Sequence, residues 1–147
     1  MPNYNWNYPN TVWFGNGRIK DLAKACKILN INKPLFVTDK DLAKTKMVEN
    51  ALEINKKANL PTTVFSDLKG NPLGSSVKNG SEIFKNGNYD GVISFGGGSS
   101  LDVGKSIALQ SATNRPLWDF TDGGTFWEKK NFSASMAENQ ISNPEKI

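Results

Sequence analysis

A chain of 147 residues, 37% of them apolar, is long enough for one domain with a core, and a mean hydropathy of −0.48 makes that core a lean one. The net charge of +4 comes from lysines scattered over amphipathic stretches, and no run interleaves basic with aromatic residues, which argues against a nucleic-acid groove. With no histidine and a single cysteine, Cys26, the chain has no internal disulfide, no thiolate metal site and neither the usual general base nor the commonest metal ligand.

The opening segment, MPNYNWNYPN, holds no continuous apolar stretch, so neither a signal peptide nor a membrane span is expected, and a cytoplasmic location follows. Residues 11–14 (TVWF) predict a strand, and Gly15-Asn16-Gly17 behind them predicts a turn. Leu22, Ala25, Cys26 and Leu29 have the spacing of a helix over 21–29, in which Cys26 reads as a small buried residue. Pro34 closes the next connection, and 35–39 (LFVTD) is a compact strand ending on an acid. Val48, Ala51, Leu52 and Ala58 predict a second helix over 47–59. Residues 62–68 (TTVFSDL) predict another strand, followed by a turn at Gly70-Asn71-Pro72. A weaker helix over 74–86 has Val77, Ile83 and Phe84 on its apolar side. Residues 91–95 (GVISF) then run into three glycines, two serines and a helix bearing Leu101, Ile107 and Ala108.

Strands separated by helices of this length imply right-handed crossovers, hence a Rossmann-like α/β fold: a parallel sheet with helices on both faces. Ligands of such sheets bind beyond the carboxyl ends of the strands. Three of those ends carry informative residues: Asp39, Asn71 and the glycine turn at 96–99. Beyond Trp118 the chain becomes polar and aperiodic and supplies no further strand, so the sheet is expected to be incomplete within this sequence.

The glycine turn is the strongest signal. Gly96, Gly97 and Gly98 permit positive φ and close approach of a ligand, and a helix N-terminus just behind them suits a phosphate. A tight strand-to-helix turn with no ligand is the plainer alternative. Ser99-x-x-Asp102 fits a capping box, which by itself accounts for Asp102, leaving that residue open between cap and functional group. Two other phosphate motifs fail: Gly104-Lys105-Ser106 ends like a P-loop but lacks the glycine at the required distance, and GNGRIK lacks the third glycine of the dinucleotide fingerprint. Asp39 can accept from a ribose hydroxyl or serve as a helix cap or solvated turn acid, and Asn71 before a proline is ordinarily a turn former.

Several stretches, in order, resemble the iron-containing (group III) alcohol dehydrogenases. YPNTVWFGNG is similar to that family's opening strand and FGxG turn, and an N-terminal β-hairpin is expected there. PLFVTDKDL resembles its strand with the VTD ending, and Gly70-Asn71-Pro72 its Asn-Pro turn. FGGGSSLDVGKSIAL resembles its GGGSxxDxxK signature, with the later pair Trp118-Asp119. The resemblance implies a nicotinamide-dependent interconversion of small alcohols with aldehydes or ketones, with Fe2+ or another divalent metal polarising the substrate oxygen. By position, Gly97, Gly98 and Ser99 would bind the cofactor pyrophosphate through backbone N–H groups, with Ser100 beside them. Asp102 would lie toward the nicotinamide, Asn71 would contact the cofactor from its own loop, and Asp39 would hold the adenosine ribose. An acid at Asp39 favours NAD over NADP, because a 2′-phosphate would face like charge.

In that family the metal is held by an Asp and three His on a later helical domain. The chain has no histidine, so residues 1–123 are expected to be a partial nucleotide-binding domain and 124–147 a truncated connecting segment. The helical metal domain is expected to be absent, and a fragment of this kind to be inactive alone. The resemblance leaves a homo-oligomer open and implies neither a nucleic-acid nor a membrane partner. Two other readings stand beside this one: a glycerol dehydrogenase or dehydroquinate synthase-like fragment, against which Ser99 directly after Gly98 speaks, and a non-catalytic nucleotide-binding module.

Overall fold

In the computed structural model, which describes residues 10–68, 73–113 and 115–120, strand and helix alternate as the periodicity predicts. The order is α1 (Leu22–Ile28), β1 (Pro34–Val37), α2 (Lys46–Lys57), β2 (Thr63–Phe65), α3 (Gly74–Asn86), β3 (Gly91–Ser94) and α4 (Gly98–Ser111). Short 3-10 turns at Arg18–Asp21, Leu42–Lys44 and Leu117–Phe120 fill the connections. The Trp118-Asp119 pair falls in the last of them.

The three strands form one parallel sheet in the order β2-β1-β3, with Leu35 opposite Thr63 on one side and Val92 on the other. Every residue of β1 is buried, as expected of a central parallel strand covered on both faces. Its side chains alternate between two cores. Leu35 and Val37 join Phe65, Val92, Val103 and Ile107 under α3 and α4, whereas Phe36 joins Val48 and Ala51 under α2. The fold is therefore Rossmann-like, with helices on both faces of the sheet.

Three helices end by the same device. Asn30, Asn59 and Asn88 adopt left-handed φ values of +54°, +58° and +52° just past α1, α2 and α3. In each case the next residue, Ile31, Leu60 or Tyr89, donates its N–H back to a carbonyl in the last turn, that of Cys26, Asn55 or Phe84. This is a Schellman termination with asparagine in the usual glycine position, and its apolar follow-on residue leads the chain to the next strand. Phe84 and Tyr89 show the accompanying contact directly, with ring centroids 6.1 Å apart.

The amino ends of β1 and β3 are tied by Asp90, whose carboxylate accepts from the backbone N–H groups of Asn32 (2.8 Å) and Lys33 (2.7 Å). Burial disfavours its charged form, but these two N–H groups and the Asn32 side chain outweigh that cost and hold the carboxyl below the ordinary aspartate range. A depressed folded pKa means stability that is fully present above the unfolded value and lost as pH falls through the folded one. Asp90→Asn is accordingly expected to cost about 1 kcal/mol near pH 7, a figure reduced for partial solvent exposure, and almost nothing near pH 2. Urea denaturation of both proteins at several pH values checks this, and a gap that stays constant into acid would contradict it.

One expected element does not form. Residues 10–14 are irregular, so the strand predicted at 11–14, and with it the N-terminal hairpin, is not seen among the described residues. β propensity needs a hydrogen-bonded neighbour to become a strand, and no described strand pairs with this segment. Val12 and Phe14 are 67% and 96% exposed, and the Trp13 ring lies instead against the Arg18 guanidinium (4.9 Å) and the Lys24 ammonium (5.8 Å).

Candidate functional site

The strand order reverses at β1. After β1 the chain passes through α2 on one face to reach β2, and after β3 it enters α4 on the opposite face. The two connections diverge, leaving a crevice between the carboxyl ends of β1 and β3, where parallel sheets bind their ligands. A cavity of about 490 Å3 lies there, lined by Asp39, Lys44, Leu68, Gly97, Gly98, Ser99 and Ser100 among others. A larger open groove of about 620 Å3 runs beside α2, lined by Glu49, Glu53, Lys56 and Pro61, and it brings together none of the predicted residues.

Asp39 stands two residues past β1, half-buried. Its Oδ1 accepts from the backbone N–H groups of Leu42 (2.8 Å) and Asp41 (3.1 Å), closing the turn that leads to α2. The local-cap role is thus real, it uses Oδ1, and Asp39 still lines the cavity.

The glycines behind β3 are not equivalent. Gly96 has φ +136°, a conformation that other residues rarely adopt. Gly97 is extended, with φ −85° and ψ −171°, so close approach rather than positive φ is what its missing side chain permits. A Cβ built on Gly97 or Gly98 meets nothing within 4 Å among the described residues beyond its immediate chain neighbours and its own helix backbone. These two positions form a cradle open to the cavity, at the N-terminus of α4, where the helix dipole favours an anion.

The predicted capping box is not formed. Gly97 is the N-cap of α4 without a side-chain cap, its carbonyl accepting from Leu101 (3.1 Å), and Ser99 already lies inside the helix. With glycines leading in, the helix starts two residues earlier than a Ser99 cap requires. Asp102 consequently sits exposed on α4, outside the residues that line the cavity. Asn71 lies outside the described residues. Five predicted positions therefore converge: Asp39, Gly97, Gly98, Ser99 and the buried Ser100.

Gly104 was legible in the sequence only as part of a failed P-loop. Its actual role is packing: a Cβ there would collide with the Ser94 hydroxyl and stand 2.9 Å from Ser94 Cβ, so α4 rests directly on β3. That contact holds the helix start at the end of the strand, the service a third glycine performs in dinucleotide-binding turns.

A family model described as iron-containing alcohol dehydrogenase matches residues 9–137. The chain belongs to that family. Among curated relatives, 1,3-propanediol dehydrogenase of Citrobacter freundii is 31% identical over 119 residues, covering 80% of this chain and 31% of the relative. The NAD-dependent methanol dehydrogenase of Bacillus methanolicus is 31% identical over 116 residues, covering 79% of this chain and 30% of the relative. Of the solved structures, the NADH-dependent butanol dehydrogenase A of Thermotoga maritima superposes with a TM-score of 0.75 at 28% identity, covering 81% of this chain and 30% of that one. The chain thus spans about three-tenths of the length of the relatives it matches.

The residues present fit a dinucleotide: an open glycine cradle at a helix start, and an acid across the same cavity. They do not fit the family's metal. Among the described residues no three His, Cys, Asp or Glu side chains are grouped to hold an ion, and the chain has no histidine. Cys26 is buried, and burial pushes its thiol pKa up, keeping it protonated and unreactive. No helix among the described residues is long and apolar enough to cross a membrane.

Proposed function

We propose that this chain is the cofactor-binding part of an NAD-dependent, metal-dependent alcohol dehydrogenase that interconverts small alcohols with aldehydes or ketones. The observation that carries the reading is the single cavity at the reversal of strand order, shared by Asp39 and the Gly97 to Ser100 turn. The backbone N–H groups of Gly97, Gly98 and Ser99 receive the pyrophosphate, with Ser100 beside them, and Gly97 and Gly98 leave it room. Asp39 accepts from the adenosine ribose. Asn71 contacts the cofactor, and Asp102, on α4 beyond the residues that line the cavity, lies toward the nicotinamide side. Bound NAD supplies the hydride acceptor. The preference for NAD over NADP follows from the Asp39 carboxylate, which repels a 2′-phosphate. The relatives named as NAD- or NADH-dependent support the same choice.

On this reading residues 1–123 are part of the nucleotide-binding domain, 124–147 lead out of it, the metal ligands lie outside this chain, and the enzyme works in the cytoplasm. Calorimetric titration of the pure chain is expected to give weak binding of NAD, weaker binding of NADP and no alcohol oxidation. Turnover of any alcohol by this chain, or NADP bound more tightly than NAD, overturns the proposal.

A further inference from the structure

The loop that carries Asp39 and the turn that carries Gly97 come from different strands, so something must hold them in register across the crevice. We propose that Leu42 is a positioning residue that locks the Asp39 carboxylate to the glycine turn and thereby sets how strongly a ribose hydroxyl is held. The proposal rests on the reading of Asp39 as the ribose acceptor.

Leu42 is held in three ways. Its N–H donates to Asp39 Oδ1 (2.8 Å), which fixes the direction of the carboxylate. Its carbonyl accepts from the Thr45 hydroxyl (2.7 Å) and the Thr45 N–H (3.0 Å), and Thr45 is the N-cap of α2. Its side chain packs on the cluster of Phe36, Val48 and Ala51 and reaches over Gly96, where a Cβ would stand 3.1 Å from Leu42 Cδ2 and 2.9 Å from Ser100 Oγ. The left-handed φ of Gly96 and its missing side chain let Leu42 and Ser100 close over it. The Asp39 carbonyl meanwhile accepts from Ala43 (2.9 Å), so residues 39–43 form one closed, hydrogen-bonded piece. Leu42 is the side chain by which that piece reaches the glycine turn. Shortening it frees the turn to shift against β3, and Asp39 shifts with it.

The test is calorimetric titration of this chain with ADP and with 2′-deoxy-ADP, because their affinity ratio isolates the hydroxyl facing Asp39. The native chain is expected to prefer ADP by about tenfold, a preference that Asp39→Ala abolishes. Leu42→Ala is expected to lower the ratio about three- to tenfold, with Leu42→Met restoring most of it and with no further effect in the Asp39→Ala background. A purely structural loss weakens both ligands equally, so an unchanged ratio in a folded Leu42→Ala protein overturns the positioning role. Should that variant not fold, by circular dichroism, Leu42→Val shortens the same reach by one carbon, and the same ratio decides. A native chain that binds both ligands equally overturns the Asp39 reading and this proposal with it. A native preference that Leu42 variants leave intact overturns this proposal alone.

Discussion

Gly98→Val is expected to leave the fold unchanged and to weaken NAD binding at least about tenfold. Both halves of that expectation come from one observation: a Cβ at Gly98 meets nothing within 4 Å among the described residues beyond its own turn of helix. The stability change is within about 0.5 kcal/mol, because valine is no worse than glycine in a helix and nothing is displaced. The cost falls on the ligand, since the isopropyl group occupies the space through which a phosphate must approach the first N–H groups of α4. Chemical denaturation and calorimetric titration of the same protein samples measure the two halves. Undiminished NAD affinity in the folded variant would show that the pyrophosphate does not lie over this turn.

Gly104→Ala is expected to do the reverse. Helix propensity alone predicts a gain of about 1 kcal/mol from replacing an interior helical glycine. The structure predicts a net loss of about 1–3 kcal/mol, because the new methyl overlaps Ser94, whose Oγ is buried and already lacks a hydrogen-bond partner among the described residues. The Ser94 hydroxyl can rotate aside, but its Cβ, 2.9 Å from the new carbon, cannot, so α4 must lift from β3. Lifting α4 also moves the helix start that frames the cavity. Adding Ser94→Gly should recover more than half of the lost stability, a coupling that urea denaturation of the single and double variants would reveal. A Gly104→Ala protein more stable than the parent would mean that α4 does not sit at this distance.

Much of the architecture was written in local pattern. The apolar spacing at Val48, Ala51 and Leu52 places α2, and the helix predicted over 74–86 coincides with Gly74–Asn86. Of the run 35–39, residues 35–37 enter β1 and Asp39 stands two residues beyond its end. The three helix ends also carry a local signature: an asparagine followed at once by an apolar residue, at Asn30-Ile31, Asn59-Leu60 and Asn88-Tyr89, marks a left-handed termination. Two local patterns misled for one reason. Among the described residues no strand pairs with the β-rich 11–14 segment, and the Ser99-x-x-Asp102 spacing lacks a helix boundary at Ser99. Propensity describes what a segment tolerates, and neighbours decide what it adopts.

The sequence by itself determined which segments are strands and helices within the sheet, that the strands run parallel, and that an acid and a glycine turn stand at strand ends. Those properties reside in periodicity and turn chemistry, which need only nearby residues. Only the tertiary structure decided that β3 lies beside β1 rather than beyond β2, which brings Asp39 and Gly97 to one cavity. It alone also distinguished glycines that look identical in a row of letters: Gly96 for its backbone, Gly97 and Gly98 for open space, Gly104 for contact with β3. A missing side chain has no chemistry of its own, so its purpose is set by the distance to whatever lies opposite.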